Sequence, residues 1–226
     1  MRRALRALST VLIISGSLML VDAGLTLAWQ EPISAIYAKI QQERLAKDLQ
    51  KIERAAPTPI ELHVLKSLAN DRRRMAFLAR SLRRKSATGA AVGRIRIPKI
   101  GASYVIVNGT DTGSLRKGPG IYEQTPFPGA PGTTGIAGHR TTYLAPFRHI
   151  DRLKPGDRIE VEMPYGRFEY AVQMRRIVPP TEVSVVRRVS YDRLVLSACH
   201  PLYSAAKRIV VFARLVQAVA RGSAAR

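Results

Sequence analysis

The sequence predicts a mainly β domain, an antiparallel barrel or sandwich, carried behind one apolar helix and a charged helical stretch. Three features lead there. Residues 7–29 are apolar with a single charge, Asp22. Residues 33–85 combine helical spacing with dense charge. From Val92 onward, short apolar runs alternate with turn residues, the texture of short antiparallel strands.

The first element reads as a membrane anchor. At about 1.5 Å per residue, the run from Ala7 to Trp29 is long enough for a hydrocarbon core of roughly 30 Å. Arg2, Arg3 and Arg6 precede it, which favours a cytoplasmic N-terminus and an outward-facing remainder. A cleaved signal peptide is the rival, since Val21-Asp22-Ala23 is weakly cleavage-like, but the apolar run continues past that point to Trp29.

The second element begins after Glu31-Pro32. Ile33, Ile36, Tyr37, Ile40, Leu45, Leu49 and Ile52 recur at helical spacing, and Pro57 and Pro59 then interrupt the pattern. A further helix is expected over about 60–84, with positive runs at Arg72-Arg73-Arg74 and Arg83-Arg84-Lys85. This stretch reads as a solvated stalk, and its charge also suits a surface clamp on anionic lipid or wall polymer. The segment SATGAA, 86–91, reads as a linker.

Strands are expected at Ile95–Ile97, Tyr104–Val107, Arg158–Met163, Arg167–Val172, Val183–Val189, Arg193–Ser197 and Arg208–Leu215. Pro164-Tyr165-Gly166 reads as a hairpin turn. The expected organisation is thus 1–31, cytoplasmic end and signal anchor; 32–86, basic helical stalk and linker; 87–218, the β domain, candidate for any catalytic site; and 219–226, an Ala/Arg-rich tail.

Charge narrows the partners. The 226 residues carry a formal +21, which speaks to association rather than to fold. Nucleic acid is the usual inference from such charge, yet no helix-turn-helix, aromatic RNA-binding signature or zinc-ligand spacing accompanies it. An acidic membrane or wall surface attracts the same charge. No acidic cluster suggests a metal, and no cofactor is expected.

The chain holds one cysteine, Cys199, so no intrachain disulfide can staple it. A cysteine nucleophile needs a proton acceptor, most often histidine. Of the four histidines, His63 lies in the stalk and His149 in a loop. His200 adjoins Cys199 and would point to the opposite face of a strand. His139 ends a small apolar run behind Gly138, a glycine that permits close backbone approach; partner of Cys199 and packed structural residue are both open readings. Arg208 opens a strand nine residues after Cys199. Its forked donors could hold a substrate carbonyl or an oxyanion, although a surface role, an ion pair, or substitution by the adjacent Lys207 are equal readings.

The ordered set Gly138-His139-Arg140, Ser197-Ala198-Cys199 and Arg208 resembles the sortases. The resemblance runs through Ile95–Ile100, Leu115–Gly120, His139–Tyr143 and Asp151–Asp157, and covers about 92–216. It is most similar to class E members from high-GC Gram-positive (actinobacterial) bacteria. It implies a closed β-barrel of about eight strands with short helices. Cys199 is then the nucleophile, His139 the general acid and base, and Arg208 the oxyanion or substrate-positioning residue. The activity implied is transpeptidation: cleavage of a C-terminal sorting signal of LPxTG or LAxTG type between Thr and Gly, and transfer to a peptidoglycan-precursor amine. Implied partners are exported proteins bearing such signals and the membrane lipid, with no nucleic acid; the implied location is the cell membrane, single-pass, with an extracellular catalytic domain.

Two positions depart from the family pattern. Ala198 stands where a threonine usually precedes the cysteine, so a hydroxyl beside the nucleophile is absent. Ile121 stands where a histidine often precedes the tyrosine. Tyr122 is kept, and the resemblance offers Tyr122 and Ala198 as substrate-binding positions, with a packed tyrosine as the rival reading. Two other classes compete: another wall cysteine enzyme, L,D-transpeptidase-like or a peptide hydrolase, and a non-catalytic tethered wall-binding domain.

Overall fold

In a computed structural model, residues 2–28 and 32–225 are described; Trp29, at the far end of the predicted anchor, lies outside them. Helix α1, Arg2–Ala28, contains a stretch from Arg2 to Gly24 long and apolar enough to cross a membrane. Val11, Leu12, Ile13, Ile14, Leu18, Met19 and Leu20 are all exposed along it, so the described residues leave its apolar surface uncovered.

Eight strands then close a barrel: β1 Ala91–Ile97, β2 Ala102–Asn108, β3 Gly120–Ile121, β4 Thr133–Ala137, β5 Arg158–Met163, β6 Gly166–Val178, β7 Arg193–His200 and β8 Lys207–Ala220, in the order β1-β2-β3-β4-β7-β8-β6-β5. The closed barrel expected from the family resemblance is therefore present. Its pairing is not wholly antiparallel, because β2–β3 and β4–β7 run parallel. The second exception matters most. The β5–β6 hairpin folds away between β4 and β7, so the two strands lie side by side with their C-terminal ends on one rim.

The β5–β6 turn is the predicted hairpin, with Met163 opposite Gly166. One expected strand is absent: Val183–Val186 is a 3-10 turn. Pro179-Pro180 leads into it, the Glu182 side chain accepts from the Ser184 N–H, and Arg193 donates to the carbonyls of Val185 and Arg187. Side chains thus satisfy backbone groups that a strand would have offered to a neighbour. Val185 and Val186 pack instead on an apolar patch outside the barrel, made by Val178, Val195, Val210 and Phe212.

The stretch expected as a solvated stalk is packed against the barrel. Helix α2, Pro32–Arg54, buries Ala38, Leu45 and Leu49, while Ile33, Ile36 and Ile40 stay exposed near its start. Gln42 acts as one more strand residue beside β2: its Oε1 accepts from the Val105 N–H at 2.7 Å, and its Nε2 donates to the Val105 carbonyl at 3.1 Å. The predicted second helix is two, α3 Pro59–Ser67 and α4 Asp71–Lys85, because the Asn70 side chain caps α4 by accepting from the Arg73 N–H. Met75 and Ala79 of α4 enter the main core. The C-terminal segment also packs: Ala224 is fully buried, and its carbonyl accepts from Arg74 Nε at 3.0 Å. Part of each positive run thus serves the fold. Arg83 donates to Asn108 Oδ1 and to the Tyr122 carbonyl, each at 2.9 Å, with its guanidinium over the Phe127 ring.

Glu61 fastens the helices to one another. It closes a capping box with Thr58 and accepts from Lys85 and Ser81 of α4. Burial opposes its ionisation, but the bonds from Lys85, Ser81 and Thr58 prevail and lower the carboxyl from 4.5 to about 2. A carboxyl depressed on folding stabilises fully above its unfolded pKa, and that contribution is lost as pH falls through about 2. Glu61→Gln is therefore expected to cost roughly 1–3 kcal/mol at neutral pH. Urea unfolding of the full chain checks this: the difference from the parent should shrink steadily below pH 4.5 and be gone only below about pH 2.

Candidate active site

Strand β7 sets the nucleophile's position. Leu194, Leu196 and Ala198 face the core, and Val195 faces the outer patch. Alternation therefore turns Ser197 and Cys199 outward. Cys199 is partly exposed one residue before the strand ends, beside a cleft of about 330 Å³ that Arg140, Thr141, Thr142, Tyr203 and Ser204 also line. Ala198 is 4% exposed, on the interior side.

Strand β8 brings the cation. Cys199 and Arg208 are direct cross-strand partners, as the spacing of nine required if the two strands pair. Arg208 Nη1 donates to the carbonyls of Ala205 and Lys207 at 2.9 and 3.0 Å. Its Nη2 and Nε have no partner among the described residues and remain as donors for a ligand. Lys207 pairs with His200, one step further out.

Strand β4 brings the imidazole. Its last parallel pairing is Ala137 with Ser197, and the Gly138 N–H still donates to the Ser197 carbonyl at 3.1 Å. His139 and Cys199 each follow two residues past that pairing, on the same rim. The glycine before His139 is required: a Cβ there would stand 2.6 Å from Phe147 Cδ2. His139 is half-buried, and its Nε2 has no hydrogen-bond partner among the described residues. Burial, and then the Arg116 guanidinium, push it below the ordinary histidine range. The neutral imidazole is thus a base with a free nitrogen.

The other histidines lie elsewhere. His63 is exposed on α3, and His149 sits in the β4–β5 connection. Strand alternation turns His200 to the face opposite Cys199, and its Nδ1 lies 3.3 Å from Arg140 Nη1.

Tyr122 approaches the same strand from β3. Its hydroxyl is 2.7 Å from Ser197 Oγ, two residues before the cysteine. The ring lies across Gly135, where a Cβ would come within 2.6 Å of Tyr122 Cδ2.

Arg140 was visible in the motif beside His139 but given no role. Its side chain is 3% exposed; Nη1 reaches the Cys199 carbonyl at 3.3 Å, and Nη2 reaches Asp151 at 3.0 Å and the Arg148 carbonyl at 3.2 Å. It ties the end of β7 to the loop carrying 148–151. Adjacency to His139 was the only signal, since its partners are distant in sequence.

Known proteins share this barrel. A model of the sortase domain matches residues 95–216. Sortase D of Bacillus subtilis (strain 168) is 30% identical over 203 residues, spanning 88% of this chain and 96% of that protein. Sortase SrtE1 of Streptomyces coelicolor is 31% identical over 147 residues, 57% of this chain and 41% of that protein. Among solved structures, a sortase D5 transpeptidase from Clostridium perfringens shares the fold, with TM-score 0.63 and 21% identity over 78% of this chain and 99% of that one. Sortase E1 from Streptomyces coelicolor, with a tripeptide in its active site, gives TM-score 0.55 at 28% identity over 60% of this chain and 94% of that one.

Proposed function

Because the chain belongs to the sortase family, we propose that it is a membrane-anchored cysteine transpeptidase that joins exported proteins to a wall amine. The observation that carries this reading is the convergence on one rim of Cys199, its cross-strand partner Arg208 and the free imidazole nitrogen of His139. Helix α1 is the anchor, with its arginine-bearing end in the cytoplasm and the barrel outside the cell membrane.

The substrate is the C-terminal sorting signal of another exported protein, of LPxTG or LAxTG type. It runs along the outer face of β4 and β7, where Tyr122 lies against Ser197. Ala198 affects recognition indirectly, through the hydroxyl it lacks behind the nucleophile. The neutral His139 imidazole takes the Cys199 thiol proton, the resulting thiolate attacks the Thr carbonyl to form an S–C bond, and the Arg208 donors stabilise the oxyanion. The Thr–Gly C–N bond breaks as His139, protonated, gives its proton to the departing glycine amine. An amine of a peptidoglycan precursor then attacks the thioester, loses a proton to His139 and releases Cys199. Dividing one amide exchange into two thioester steps lowers each barrier.

The test uses the full chain in detergent with quenched peptides containing LPNTG or LANTG and a primary amine. Release of the Gly-containing fragment, with amine transfer, is the expected result. Acylation of Cys199 by a carbapenem with neither peptide cleaved would point to another wall cysteine enzyme. In the same assay Arg208→Ala should lower kcat/KM by roughly 100- to 1,000-fold, the scale for losing an oxyanion donor. Near-normal activity would move that role to Lys207 or to backbone donors.

A further inference from the structure

The start of α2 reaches Tyr143, the neighbour of the imidazole, from outside the matched domain, which begins at residue 95. Ser34, 5% exposed, accepts at Oγ from the Tyr143 N–H at 3.0 Å. Tyr37 meets the Tyr143 ring edge-on, with centroids 6.3 Å apart. Tyr143 in turn contacts His139, its ring centroid 5.2 Å from the imidazole, and the Arg116 guanidinium lies 5.9 Å from the Tyr143 ring. Ile33, Ser34, Tyr37, Arg116 and Tyr143 line an open cleft of about 310 Å³.

The loop under this contact is strained. Tyr143, Leu144 and Ala145 have φ of 51°, 64° and 41°, a left-handed run with no glycine. Side chains other than glycine and asparagine adopt that region only where the surroundings over-determine it. Here the restraints are local and distant. The Ala145 N–H donates to the Thr142 carbonyl, the Phe147 N–H to the His139 carbonyl, and the Tyr104 hydroxyl to the Leu144 carbonyl. The bond to Ser34 is the restraint supplied by α2.

We propose that α2 completes the catalytic centre: Ser34 and Tyr37 clamp Tyr143 in its strained conformation, and Tyr143 positions the imidazole of His139. The proposal rests on the role of His139 in the transpeptidation described above. These three are positioning residues, since none touches the reacting atoms. Helix α2 therefore acts on the acid–base group through Tyr143.

The clamp can be loosened without detaching the helix, because Gln42, Leu45 and Leu49 hold α2 to the barrel independently. In the full chain in detergent, Ser34→Ala should lower kcat for a sorting peptide by roughly tenfold while KM stays within about twofold, as expected for a misplaced catalytic group. Ser34→Thr keeps the acceptor and should restore kcat. Tyr143→Leu removes the ring that faces the imidazole and should resemble Ser34→Ala. Hydrogen exchange should quicken at 142–146 in Ser34→Ala and stay unchanged in the second half of α2.

Parent kcat in Ser34→Ala, or a loss of thermal stability with kcat unchanged, would overturn the proposal. So would a loss of kcat that Ser34→Thr fails to restore. Were the parent to cleave no sorting peptide, the reading of the site would fall. Exchange at the Tyr143 amide would still decide the clamp: quickening on Ser34→Ala supports it and an unchanged rate overturns it.

Discussion

Cys199→Ala is expected to abolish peptide cleavage, transfer and covalent adduct formation together, while leaving the barrel intact. The thiol lies on the outer side of β7 at a partly exposed position, so its loss opens no hole in the core. The change in stability should stay within about 1 kcal/mol, the range for substitutions away from packed or bonded groups. The bond network through the Cys199 backbone, from Arg140 and to β8, does not involve the side chain. Intact mass, a thermal melt and the quenched-peptide assay together check the expectation. An acyl adduct on the alanine variant would remove Cys199 from the role of nucleophile.

His139→Gln should reduce kcat/KM by roughly 10²- to 10⁴-fold, the range for losing a positioned acid–base group. Glutamine approximates the reach of the imidazole without its basicity, so binding should suffer less than turnover. The pH profile supplies a second readout. Burial and then Arg116 hold His139 below 6.5, so the acid limb of the parent's kcat/KM should lie below pH 6.5. That limb should be lost in the glutamine variant. A parent limb above 6.5 that survives the substitution would assign it to another group.

The chemistry-bearing residues were more legible in the sequence than the topology that assembles them. A lone cysteine at a strand end, and an arginine nine residues later opening the next strand, imply a cross-strand pair once a hairpin joins them, and that pair is present. Short-range patterning also placed β5 and the Pro164-Tyr165 turn, because period-two alternation and turn chemistry are local signals. The parallel neighbours β4 and β7 were not readable, since their pairing depends on where the β5–β6 hairpin goes. For the same reason, adding the geometry of His139 to that of Cys199 required the family resemblance.

Two misreadings have physical causes. Val183–Val189 has the β-branched composition of a strand, but side-chain capping of its carbonyls and the packing of Val185 and Val186 make it a turn. The charge of 33–85 suggested solvation, yet Leu45, Leu49 and Met75 are buried against the barrel, and part of the arginine charge is spent on internal bonds. The left-handed run at 143–145 left no trace in composition, because tyrosine, leucine and alanine are not turn residues; local backbone bonds together with the contacts from α2 and Tyr104 hold it. The relatives divide similarly. The motifs resemble class E, whereas the sortase D relative is matched over more of the chain.

The central claim, that this chain forms a thioester between Cys199 and the threonine of a sorting signal, is tested most directly by intact-protein mass spectrometry. The full chain in detergent would be mixed briefly with a peptide containing LPNTG or LANTG, without acceptor amine, and digested to locate any adduct. The expected result is a mass gain equal to the peptide up to its threonine, located on Cys199, together with the freed Gly-containing fragment. An unmodified chain and intact peptides, with Cys199 still alkylated readily by a small reagent, would contradict the claim.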